Sequence, residues 1–133
     1  MMQLMDESIN HRDAGLQALR PVLGIDTAQA QPIEAFQHQT LRPLLKLQHP
    51  LLLRQFEAFL VEHKQSFDQQ TPDARQRYIS HALKTHKRLR ATYFGLVTGL
   101  MTEEEYDFYV ANRGELHKRM TQLLIQRLES HWV

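Results

Sequence analysis

From Pro32 onward, apolar residues return every three or four positions, the spacing that gathers them on one face of a helix. Ile33, Phe36, Leu41, Leu44, Leu45, Leu52, Phe56, Phe59 and Leu60 carry this pattern through the first half. No segment alternates strictly with period two, as a half-buried strand does, and no glycine falls between Gly24 and Gly95. Pro43 and Pro50 interrupt the run, and each removes a backbone donor and crowds the turn before it. The pattern therefore predicts a helix over 33–48, a break near Pro50 and a helix over 51–67.

Three helix starts follow. Thr71-Pro72 places a hydroxyl N-cap before a proline at the first helical position. Thr102-x-x-Glu105 is a capping box, and Asn112-x-x-Glu115 has similar chemistry. A single helix from Pro72 to Met101 would put Ile79, Ala82, Leu83, Leu89, Tyr93 and Val97 on one face, with His86 in the middle of that stripe and Arg90 at its edge. The expected fold is all-α, a four- to five-helix bundle over 32–133. Residues 1–31, with Gly15, Pro21, Gly24 and the polar stretch 27–31, read as a loosely ordered arm with one short helix at Asp13–Leu19.

Composition narrows the chemistry. The chain has 133 residues, a net charge of +1 and no cysteine, which removes disulfides, thiol nucleophiles and thiolate metal sites. The first residues lack the basic start and apolar run of a signal peptide. Tyr93 to Met101 is far too short to span a membrane. A cytoplasmic protein without membrane contact is the expectation. Charge is uneven, however: residues 71–100 carry six basic groups against Asp73, and residues 101–112 carry four acids and no base.

Candidate sites are few. His81, Arg88, Gly95 and Gly99 line up on the face opposite the apolar stripe. Each glycine costs about 1 kcal/mol of helix propensity against alanine, so close approach of another helix, from this chain or a second copy, or of a ligand should offset it. His86 could be a tuned acid, base or ligand, or simply a hydrogen-bonded core residue. The eight histidines show no His-x-x-x-His or Glu-x-x-His spacing, so no metal and no cofactor are expected. No nucleophile elbow or phosphate-binding glycine loop is present.

Three functions remain open. The first is a non-enzymatic protein acting through protein contacts, as a homodimer, using the Gly95/Gly99 face and the wide apolar surface from Leu51 to Val61. The second is a nucleic-acid-binding module using Arg77, Lys84, Lys87 and Arg88 of the basic helix 75–90, whose plainer reading is a solvated face. The third is a small-ligand binder or enzyme around Arg88, His86 and His81, which requires a concavity holding at least two of them.

Thr40-Leu-Arg-Pro-Leu-Leu-Lys-Leu-Gln48, Tyr78-Ile-Ser-His-Ala-Leu83, Gly95-Leu-Val-Thr-Gly-Leu-Met-Thr-Glu-Glu-Glu-Tyr106 and Asn112-Arg-Gly-Glu-Leu-His-Lys-Arg-Met120 together resemble a family of short, uncharacterised all-helical proteins from Bacteroidota. The resemblance covers residues 36–130. Its members sometimes carry the label glyoxalase, which these residues do not support, since such folds are β-rich and hold metal ligands on strands. The resemblance brings no functional residues. The Gly99–Tyr106 stretch also resembles the helix start of short bacterial oligomerisation domains of the SHOCT type, and implies only a helix–turn–helix junction.

Overall fold

The computed structural model describes residues 11–133. Every regular element among them is helical. Residues 11–18 form α1, followed by α2 (Pro32–Phe36), a π turn (Gln37–Leu41), α3 (Arg42–Glu62), a 3-10 turn (Phe67–Gln69), α4 (Pro72–Thr85), α5 (Lys87–Thr98), α6 (Glu103–Ala111) and α7 (Arg113–Trp132). The all-α expectation holds. Six separate α-helices lie between Pro32 and Trp132, against the four or five expected.

The extra divisions have physical causes. The break expected near Pro50 does not form, because α3 runs through that residue. Pro50 and Lys46, whose carbonyl loses its helical donor, are both exposed, so water can satisfy that carbonyl. Leu44, Leu45, Leu52 and Phe56 on the same helix are almost fully buried, and their burial offsets the proline's cost. The disturbance appears earlier instead. The Arg42 amide bonds to the Gln37 carbonyl, five residues back, and this wider turn carries the chain past Pro43.

The single helix expected over 72–101 is two helices. His86 is extended (φ −89°, ψ 97°) and its Nδ1 accepts from the Leu89 amide at 3.3 Å, so it caps α5. The break lets α4 pack chiefly on α7 while α5 packs chiefly on α3, with Ile79 and Leu83 buried on the one and Leu89, Tyr93 and Val97 on the other. Tyr93 is fully buried, and its hydroxyl donates to the Leu52 carbonyl at 3.0 Å.

Thr71 caps α4, and Thr102 with Glu105 forms the expected capping box on α6. Asn112 does not cap α7. Its side chain instead donates to the Phe108 carbonyl at 2.9 Å, closing the end of α6.

Residues 1–10 of the sequence-defined arm lie outside the described residues. Residues 11–31 are tied to the turn before α6. Arg12 donates to the carbonyls of Gly99 and Met101, and Arg20 to that of Leu100. Arg20 also makes a two-pronged ion pair with Glu105, both contacts at 2.6 Å.

Candidate functional site: a basic groove between α4, α5 and α7

The break at His86 turns the first residues of α5 toward α7. Lys84 at the end of α4, Lys87, Arg90, Ala91 and Phe94 on α5, and His117, Lys118, Thr121 and Gln122 on α7 line a groove of about 550 Å³. That is within the ~300–1,000 Å³ of sites that take organic ligands. Its lining has four permanent cations and no carboxylate. None of the four has an acidic partner within ion-pair distance among the described residues. Arg90 is held across the break by a bond to the Lys84 carbonyl at 3.1 Å. Lys87, Arg88 and Arg90 also crowd the start of α5, where the helix dipole favours anions and opposes cations. The groove thus concentrates uncompensated positive charge.

Its floor is aromatic. The Phe94 and His117 rings stack nearly parallel, with centroids 4.4 Å apart. His117 Nε2 pairs with the Tyr109 hydroxyl, which fixes the ring. Burial, then the charges of Arg113 and Arg90, draw the His117 pKa below the ordinary histidine value. Burial pushes the Tyr109 hydroxyl up, outweighing the opposing effect of Arg113. In the free protein the floor is therefore a mainly neutral aromatic pair with cations beside it.

The residues singled out from sequence do not form one site. His81 is exposed on α4 and does not line this groove. Arg88 points to a separate hollow of about 410 Å³ that it shares with Glu62, His63, His86 and Thr92. The His63 and His86 rings meet edge to face there, 5.2 Å apart, and both pack on Phe59. His86 is part of this wall and an α5 cap, not the middle of a core stripe. His63 belongs to the end of α3, and its sequence neighbours give no sign that it meets His86.

Gly95 and Gly99 are both exposed. A Cβ at Gly95 would meet nothing within 4 Å, and one at Gly99 would meet only the Gly95 carbonyl, at 3.0 Å. The pair therefore seats no neighbouring helix from the described part of this chain. Gly95→Ala is expected to raise stability by about 0.8–1 kcal/mol, the propensity difference in a helix interior. Chemical denaturation would read this as a higher midpoint; a lower one would mean that a partner backbone approaches there.

The apolar surface from Leu51 to Val61 is mostly interior. Leu52, Phe56, Phe59 and Leu60 are buried, leaving Leu51 and Val61 outside at 46% and 79% exposure.

Among the described residues, no three His, Asp or Glu side chains gather closely enough to hold a metal ion. No helix among them is long and apolar enough to cross a membrane. The chain matches no protein-family model, no curated protein and no solved structure.

The sequence pointed to Lys84 and Lys87, held Arg90 only as a member of its basic stretch 75–90, and gave no sign of Phe94, His117 or Lys118. Arg90 sat at the edge of a stripe drawn for an unbroken helix. The α7 residues enter only because α4 and α5 pack beside that helix.

Proposed function

We propose that the protein binds single-stranded nucleic acid through the α4–α5–α7 groove. The observation that carries this reading is the set of four cations, unpaired with any acid among the described residues, beside the Phe94–His117 stack. Single strands are held by basic grooves that track phosphates and by aromatic faces that stack bases, a contact that tolerates any base. Lys84, Lys87, Arg90 and Lys118 would take the phosphates, and Phe94 with His117 would take a base. This uses Lys84 and Lys87 as the sequence suggested, and replaces Arg77 and Arg88 with Arg90 and Lys118.

Fluorescence anisotropy of a labelled single strand of about 12 nucleotides at low salt tests the reading. Saturable binding that is lost in Lys84→Gln/Lys87→Gln/Arg90→Gln supports it. Absence of binding to DNA and RNA strands alike removes it. A mononucleotide that competes as well as the strand would reduce the ligand to a free nucleotide.

The site also predicts a pH dependence. A phosphodiester stays anionic from pH 5 to 8 and offsets the repulsion of Arg113 and Arg90 on His117. Burial, the larger cause of the lowered value, is not relieved by binding, so only the charge part of the shift is offset; by that part the bound state favours the protonated ring, and binding takes up protons. Affinity should rise as pH falls through the ordinary histidine range toward the lowered value of the free protein, by at most about tenfold per pH unit for one proton. Anisotropy titrations between pH 7.5 and 5.5 check this, with His117→Gln expected to flatten the profile.

The hollow shared by His86, Arg88, His63 and the Glu62 carboxylate favours a second reading as a small-ligand binder, since it unites two of the three residues considered for one. Loss of a ligand's binding in Arg88→Gln, with strand binding retained, would separate it from the first.

A further inference from the structure

α3 and α7 pack side by side, and each presents one arginine to the seam. Arg42, in the first turn of α3, and Arg127, near the end of α7, line a hollow of about 230 Å³ with Leu45, Leu123, Gln126 and Ser130. Neither guanidinium has a carboxylate within ion-pair distance among the described residues. Arg42 Nε donates to His38 Nδ1 at 3.1 Å, and Arg127 Nη1 meets His49 Nδ1 at 3.2 Å. Glu34 faces His38, 3.8 Å away, rather than Arg42.

This seam gathers like charge where solvation is reduced. Burial, and after it the charge of Arg42, draws the Arg127 pKa below the usual arginine value. Burial, then Arg127 and His131, draw down that of His49. Packing alone does not call for two half-buried guanidiniums, since an apolar side chain of similar volume avoids their desolvation cost. A guanidinium has five N–H donors, and each of these makes one side-chain hydrogen bond among the described residues.

We infer that the seam binds a tetrahedral oxyanion, a phosphoryl or sulfate group, gripped by Arg42 and Arg127 with the Gln126 amide at its rim; the Ser130 hydroxyl beside them donates to the Arg127 carbonyl at 2.6 Å. Paired guanidiniums match the geometry of such a group and supply the missing counter-charge. The hollow falls below the ~300–1,000 Å³ of sites that enclose an organic ligand. It admits the charged group and leaves the rest of any larger molecule outside. Arg127 leaves α7 on roughly the opposite side from Lys118, while Gln126, four residues after Gln122, lies nearer that face; the two hollows share no lining residue. The site is thus separate from the α4–α5–α7 groove, and its existence does not depend on strand binding there.

The test follows the Nε–Hε NMR signals of Arg42 and Arg127 while inorganic phosphate replaces chloride at constant ionic strength. Both signals should shift saturably, and the melting temperature should rise by about 5 °C at a phosphate concentration tenfold above the dissociation constant. Arg127→Gln should abolish both responses and, by relieving the repulsion, melt higher than the parent in chloride. If that variant does not fold, Arg42→Lys serves instead, keeping the charge but losing the two-pronged grip, with a weakened response. Lys84→Gln/Lys87→Gln, which disables the other groove, should respond like the parent. A shift with a 5′-phosphorylated oligonucleotide, but with neither its unphosphorylated twin nor free phosphate, would assign a terminal phosphoryl group as the source. Signals unmoved by all three, or a phosphate response retained in Arg127→Gln, would overturn the inference.

Discussion

Raising salt from 50 to 200 mM is expected to weaken single-strand binding about 50-fold, because each neutralised phosphate contributes about 0.7 to the slope of log affinity against log salt. Four groove cations, Lys84, Lys87, Arg90 and Lys118, give a slope of about −2.8 on that basis. Lys87→Gln/Arg90→Gln leaves two and a slope of about −1.4, so its loss over the same range should be only about sevenfold. The contrast distinguishes the groove from diffuse attraction. A net charge of +1 gives no general pull on a polyanion, so removing two cations elsewhere, such as Arg54 and Arg77, should leave the slope unchanged. Anisotropy titrations at four salt concentrations measure both slopes. Equal slopes for the parent and the groove variant would place the phosphate contacts elsewhere on the surface.

Glu105→Ala is expected to destabilise the fold by about 3–5 kcal/mol, the cost of leaving a buried charge without its partner. The Arg20 and Glu105 side chains are only 9% and 14% exposed. The Glu105 oxygens accept from both terminal nitrogens of Arg20, from the Thr40 hydroxyl at 2.7 Å and from the Thr102 amide at 2.8 Å. Alanine deletes all of these, opens the α6 capping box, and leaves the guanidinium with only its bond to the Leu100 carbonyl and an Nε that has no partner among the described residues. An exposed ion pair would cost about 1 kcal/mol or less, so urea denaturation separates the two cases cleanly. Loss below that level would mean that the arm does not depend on this pair.

The same carboxylate shapes the acid side of the stability curve. Burial pushes its pKa up, but the bonds from Arg20, the Thr102 amide and Thr40, with the charge of Arg20, outweigh it and hold the carboxyl below the ordinary glutamate value. Its contribution is therefore complete above the unfolded-state value of about 4.3. It is lost as pH falls from there through the folded-state value. Glu105→Gln should flatten stability across that window while keeping much of the shape of the cap.

The helical class and several helix starts were legible in the chain alone, because these depend on interactions a few residues apart. Apolar spacing of three and four residues, the Thr71-Pro72 start and the Thr102–Glu105 box are local and were readable as such. Where local rules compete with burial, tertiary structure decided. α3 continues through Pro50 because the flanking leucines and Phe56 are buried, and the helix after Thr71 breaks at His86 so that its halves can face different partners. Asn112 had two backbone ends within reach, and its side chain closed the earlier helix. The functional surfaces lie further still from the sequence. Lys84 and Lys87 showed as a basic run, but the groove also needs Phe94 turned toward α7 and His117 and Lys118 brought from the other side. Arg42 and Arg127 stand 85 positions apart, and only the packing of α3 on α7 makes them neighbours. A chain can write its periodicity and its caps locally, whereas convergence of charge is a property of which faces meet.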